Sequence, residues 1–169
     1  MASPQPCVHS AGAANQSRTG STLVLRLVLS FLAVVVCYRF GWTWLKALTA
    51  TLNLRLDHLA GVPLQRLSID TVQLGHKYFQ YVIACTFADV WCASLALVWR
   101  TRQTVAQNLG FIAAFTAGLF VLNIVRLSAA DVVFAAGMNW SLAEGLTGGL
   151  AYFAVWLAIL RRHAWSNTP

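Results

Sequence analysis

The chain has 169 residues, of which 58% are hydrophobic and 10% charged, with a mean hydropathy of +0.62; soluble domains average about 45–50% apolar and about 25% charged residues. Lys and Arg number 12 against 5 Asp and Glu, a formal charge of +7, and so few charges do not cover a water-soluble globule of this single-domain length. The basic residues sit singly or in pairs at the ends of apolar runs, without the clustering that nucleic-acid binding requires. Composition therefore excludes a soluble nucleic-acid-binding domain and points to a bilayer.

Residues 1–20 are rich in Ala, Ser, Gln, Asn and Gly and are expected to form a disordered tail. A transmembrane helix needs about 20 mostly apolar residues, and there are four candidate runs, the last two short on strict counting, so that flanking residues must supply the remaining length. The first extends from about Ser21 to Trp44, with Arg26 and Arg39 near its ends, where long side chains can snorkel. It has no small-residue cleavage site after it, since Tyr38, Arg39 and Phe40 occupy that region, so it reads as a retained anchor. An apolar, partly amphipathic stretch from Trp42 to Leu56 follows. After the Gly61-Val62-Pro63 break, Leu67, Ile69 and Thr71 alternate with Ser68 and Asp70, which predicts a short half-buried strand. The second span runs from about Tyr78 to Trp99 and contains Asp89. The third runs from about Leu109 to Arg126, with a periodic pattern continuing through Phe134, and the fourth from about Leu146 to Leu160. Residues 163–169 are expected to form a short C-terminal tail, and no internal repeat is apparent. The expected fold is an all-α integral membrane domain over residues 21–162, with about four transmembrane helices and a small extracytoplasmic loop subdomain.

Lys and Arg in short loops set orientation. The loop WRTRQ carries Arg100 and Arg102, and the last span is followed by Arg161-Arg162-His163. Both are expected on the cytoplasmic side of a cell (inner) membrane, with both termini. The long loop Lys46–Lys77 and the region Leu127–Gly145 then lie outside.

Polar residues within such a bundle are costly unless partnered, and so are informative. Cys85, Asp89 and Cys92 fall at i, i+4 and i+7, which predicts one helical face. Asn123 and Arg126, at i and i+3, share a face of the third span, and Glu144 precedes the fourth. Antiparallel spans would bring Cys85, Arg126 and Glu144 to one extracytoplasmic level. The four cysteines, Cys7, Cys37, Cys85 and Cys92, show no CxxC spacing and no close histidine, so neither a disulfide framework nor a zinc site is expected. No metal or organic cofactor is implied.

The stretch YVIACTFADVW around Cys85 resembles the cysteine motif of the exosortase and archaeosortase family, in which the catalytic cysteine follows an alanine. LNIVRLSAADVVFAAG resembles that family's N-x-x-R segment, with Asn123 and Arg126 in the matching places, and the resemblance covers about Gly61 to Leu160. It implies a membrane cysteine transpeptidase or protease acting on membrane-anchored proteins with C-terminal sorting signals. Cys85 would be the nucleophile and Arg126 would favour the thiolate and stabilise an oxyanion. The family's third position is histidine, suited to proton transfer near neutral pH; here SLAEGLTGG puts Glu144 in that place, and Thr86-Phe87 follow the cysteine where many members have a small residue and glycine. His76 and His58 are the other candidate bases. Each residue also has a structural reading: Cys85 and Cys92 as small packing residues, Arg126 as a snorkelling anchor, Asp89 as a partner of Arg126 or Asn123, and Glu144 as a cap on the fourth span. Two alternatives follow for the whole chain, a non-catalytic relative that binds membrane-anchored tails or assists assembly, and a small structural helical membrane subunit.

Overall fold

The computed structural model describes residues 11–164, and the side chains of residues 23–162. The chain is predominantly helical: α1 spans Ala11–Cys37, α2 Thr43–Leu59, α3 Ala88–Val98, α4 Val105–Ala135 and α5 Trp140–Ala164. Between α2 and α3 lie three short strands, β1 Gln65–Arg66, β2 Thr71–Leu74 and β3 Lys77–Gln80, and a 3-10 turn at Ile83–Thr86. Cys7 lies outside the described residues, and α1 begins ahead of the predicted span start at Ser21.

The helix ends follow local chemistry. The Trp42 indole nitrogen donates to the Cys37 carbonyl at 2.8 Å and so caps α1, while Trp42 itself is left-handed at φ 46°. The first apolar run therefore stops at Cys37 and a separate helix, α2, begins. Thr104 opens α4 with a capping box: its hydroxyl accepts from the Gln107 N–H at 3.3 Å and the Gln107 side chain accepts from the Thr104 N–H at 3.1 Å, two otherwise orphaned donors satisfied at once. At the other end Gly137, at φ 99°, supplies the positive-φ residue that terminates helices cheaply. Asn139, not Glu144, caps α5, accepting the Ser141 N–H at 2.9 Å; α5 starts earlier than the sequence predicted, so Glu144 sits inside its second turn.

The sheet is antiparallel in the order β1-β2-β3. The β2–β3 hairpin turns at Gly75-His76, with Gly75 at φ 60°. The strand expected over Leu67–Thr71 is displaced: residues 67–70 form a loop with Leu67 and Ile69 exposed, and the paired strands flank it.

Three apolar clusters hold the elements together. Cys37, Ala88 and Cys92 join α1 to α3, and Phe87, Leu119, Ala151 and Val155 join the start of α3 to α4 and α5. Ala50, Val62, Leu64, Val72, Leu74, Tyr81 and Leu127 seal α2 and the sheet against α4. Two helices, Val105–Ala135 and Trp140–Arg162, are long and apolar enough to cross a membrane, and only 22% of the apolar window of each is buried, unlike the core helix of a soluble protein. Leu146, Leu150, Phe153 and Trp156 on α5 and most of Leu23–Val36 on α1 are exposed, an apolar surface far beyond that of an ordinary soluble monomer.

The second predicted span is broken. Its first residues pair in β3, its middle forms the 3-10 turn, and Phe87, left-handed at φ 56°, separates that turn from α3. Eleven helical residues remain, about 16 Å of rise.

Candidate functional site

The 3-10 turn places Cys85 against α4. Its N–H donates to the Val82 carbonyl at 3.0 Å, and its own carbonyl accepts from Asn123 Nδ2 at 2.8 Å. Asn123 is fully buried, so the first residue of the N-x-x-R segment fixes the backbone of the cysteine. One turn further along α4, Arg126 is also buried, with its guanidinium carbon 4.9 Å from the centroid of the Phe87 ring. Gly148 on α5 faces it: a Cβ there would lie 3.5 Å from Arg126 Nη1. Arg126 Nε has no hydrogen-bond partner, and the sole ion pair among the described residues is Lys46–Asp70. Arg126 is therefore a buried cation with aromatic and dipolar neighbours and no bonded carboxylate.

Cys85 and Glu144 line one cavity of about 270 Å³, together with Tyr81, Asp131, Leu127 and Trp140. Glu144 is exposed at its mouth, whereas Asp131 is buried. Burial pushes the Cys85 thiol above its usual range; a separate backbone hydrogen bond from Val82 to the thiol and the Arg126 charge pull it back, and Glu144 and Asp131 add to the rise. Arg126 thus acts on the thiol in the expected direction, but desolvation outweighs it and the net shift is upward.

Behind the cavity lies a polar cluster that the sequence reading missed. Asn53 Nδ2, from α2, lies 2.9 Å from Asp57 Oδ2, 2.7 Å from Asp131 Oδ2 and 2.9 Å from the Tyr81 hydroxyl, and Ser128 donates to Asp57 Oδ1 at 2.5 Å. Two buried carboxylates thus converge on one amide with no basic side chain in hydrogen-bond range, an arrangement that favours a shared proton. Burial raises Asp57 above the usual carboxylate range, against the hydrogen bonds from Ser128 and Asp131 and the charge of His58. Burial and the Asp131 charge also hold the Tyr81 hydroxyl well above its usual range. The available signal was the i, i+4 pair Asn53/Asp57 and the i, i+3 pair Ser128/Asp131 inside apolar stretches.

The remaining candidates lie elsewhere. Cys85, Asp89 and Cys92 do not share a helical face, because the left-handed Phe87 interrupts the helix; Cys92 packs against Cys37. Asp89 accepts from the hydroxyl of Tyr38, the residue that follows α1, at 3.1 Å, and so partners neither Arg126 nor Asn123. His76 is exposed in the β2–β3 turn and does not line the cavity, and His58 Nε2 is 2.9 Å from the Leu64 carbonyl. Neither histidine is brought to Cys85. Among the described residues no group of His, Cys, Asp and Glu is arranged to hold a metal ion.

No family model, curated protein or solved structure matches the chain.

Proposed function

We propose that the protein is a membrane cysteine transpeptidase or peptidase of the exosortase and archaeosortase type, processing proteins anchored by a C-terminal sorting signal at the extracytoplasmic face of the cell (inner) membrane. The observation that carries this reading is that a thiol and two carboxylates, Cys85, Asp131 and Glu144, from segments far apart in sequence, line one cavity, with the buried Arg126 close enough for its charge to act on the thiol. In this reading α1, α3, α4 and α5 cross in alternation, with both termini cytoplasmic and α2 and the sheet outside. Support for it comes from the uncharged stretch Val105–Val125 of α4, about 30 Å of rise, which fits the hydrocarbon core.

The chemistry follows from the groups present. Cys85 Sγ bonds to the scissile carbonyl carbon as its proton passes to Asp131 or Glu144, and the carbonyl oxygen takes up the electron pair beside Arg126. The carbon–nitrogen bond then breaks and the amine leaves with that proton. Water or an acceptor amine attacks the resulting thioester, gives up a proton to the same carboxylate, and Sγ leaves to recover it. Because burial opposes a standing thiolate, deprotonation accompanies attack instead of preceding it.

Intact mass of the protein taken from its native membrane and quenched in acid tests the reading. An acyl adduct on Cys85, released by neutral hydroxylamine and absent from Cys85→Ala, is the expected result. No adduct in a folded protein whose Cys85 reacts with an impermeant thiol reagent would overturn the catalytic reading. It would favour a non-catalytic relative that binds membrane-anchored tails, a role that the raised thiol and the carboxylate in place of histidine also suit.

A further inference from the structure

The end of the helices opposite Cys85 holds a second polar constellation that the proposed chemistry leaves unused. The C-terminal end of α3, the N-terminal end of α4 and the C-terminal end of α5 meet there around a cavity of about 450 Å³, lined by Arg100, Gln103, Phe111, Ala158, Arg161 and Arg162. The site is built rather than incidental. Asn108, itself buried, pins the Arg100 backbone by accepting its N–H at 3.0 Å and donating to its carbonyl at 2.8 Å. Arg162 is held with its guanidinium carbon 3.8 Å from the Phe111 ring centroid, and its Nη2 donates to Gln103 Oε1 at 2.6 Å.

Three cations thus face one cavity that no carboxylate lines. Arg100 Nε and Nη2 and Arg162 Nε are shielded from solvent and have no acceptor, whereas buried polar groups are nearly always bonded. An anion with several acceptor oxygens would satisfy these donors and relieve the repulsion between the guanidinium groups. Phosphate matches the planar fork of arginine. The cavity also lies at the end of the apolar surface, the depth at which lipid headgroups sit, and basic pockets between helices on that side bind anionic headgroups.

We propose that Arg100, Arg161 and Arg162 form a binding site for a phosphate group, supplied by the headgroup of an anionic phospholipid in the cytoplasmic leaflet. The site rests on the membrane placement proposed above and is independent of Cys85.

The test is a titration of the full chain, in nanodiscs of phosphatidylcholine, with short-chain phosphatidylglycerol and separately with inorganic phosphate, read by thermal stability and native mass spectrometry. Saturable stabilisation by phosphatidylglycerol is expected. Arg161→Gln should weaken it about tenfold or more; Arg161 makes no contact that the fold depends on, so this variant guards against failure of Arg162→Gln to fold. Arg102→Gln removes the same charge from an exposed residue outside the cavity and should change affinity less than about twofold. Equal losses in Arg102→Gln and Arg161→Gln, or no saturable lipid binding, would overturn the site. Binding of inorganic phosphate without phosphatidylglycerol would overturn the lipid as its source. Because Cys85 acylation is read separately, failure here leaves the catalytic reading standing.

Discussion

Burial shifts both Cys85 and Asp57 upward, yet the two report on different properties. For Cys85 the consequence is reactivity: alkylation in detergent should keep accelerating above pH about 8.5, the ordinary thiol range, because burial outweighs Arg126. Arg126→Gln removes the cation that favours the thiolate and should move the profile further up, slowing alkylation at any fixed pH; an unchanged profile would detach Arg126 from the thiol. For Asp57 the consequence is stability. A carboxyl whose folded value is raised contributes most below its unfolded value, near pH 4, and that contribution is lost as pH rises through the folded value. Thermal unfolding should therefore show stability falling as pH rises from about 4, and Asp57→Asn, which still offers Ser128 an oxygen, should flatten that slope. A slope unaltered in Asp57→Asn would assign the dependence to other groups.

At the level of elements, two close approaches decide how the helices meet. Gly148 lets α5 lie beside Arg126. Gly148→Ala adds a Cβ at ordinary contact distance, 3.5 Å from Nη1, and should leave stability within about 0.5 kcal/mol. Gly148→Leu adds atoms where the guanidinium stands, should cost about 1–3 kcal/mol, and should slow Cys85 alkylation as Arg126→Gln does. Asn108→Ala strips both hydrogen bonds from the Arg100 backbone and should cost about 2–3 kcal/mol in denaturation, since it orphans a buried N–H. The helices α4 and α5 were legible in the sequence because a long apolar run has few folded alternatives in water or lipid. The break before α3 was not, because VIACTFADVW is mostly apolar, without glycine or proline, and nothing in a phenylalanine announces a left-handed backbone. The hairpin at Gly75-His76 was masked by the stronger alternation upstream at Leu67–Thr71. The order of the runs placed Cys85 and Glu144 at one level, and the two line one cavity; Arg126 is not among its lining residues. Asp57 and Asp131 each carried a local spacing signal, with Asn53 and with Ser128, but their pairing was not readable, because it is defined by packing between α2 and α4.

At the level of the whole molecule, the proposed orientation makes a direct prediction. In a background with the native cysteines replaced by Ala, His76→Cys should react with an impermeant thiol reagent on intact cells, and Arg102→Cys only after permeabilisation; the reverse pattern would invert the topology. Two asparagines on α4 also set a dimension. Asn123 holds the backbone at Cys85, Asn108 holds it at Arg100, and fifteen residues of helix separate them, about 22 Å. The segment between those clamps is therefore shorter than the hydrocarbon core of about 30 Å; in the proposed reading, where α3 crosses the membrane, lipid beside it would thin to meet it. The pair acts as a fixed ruler. If the proposed substrates are processed here, a substrate helix standing alongside, with its basic tail level with Arg161, would have only about fifteen residues of rise before reaching the height of the thiol, so the position at which it is read would be set by the spacing of two amides in α4 and not by the substrate's own length.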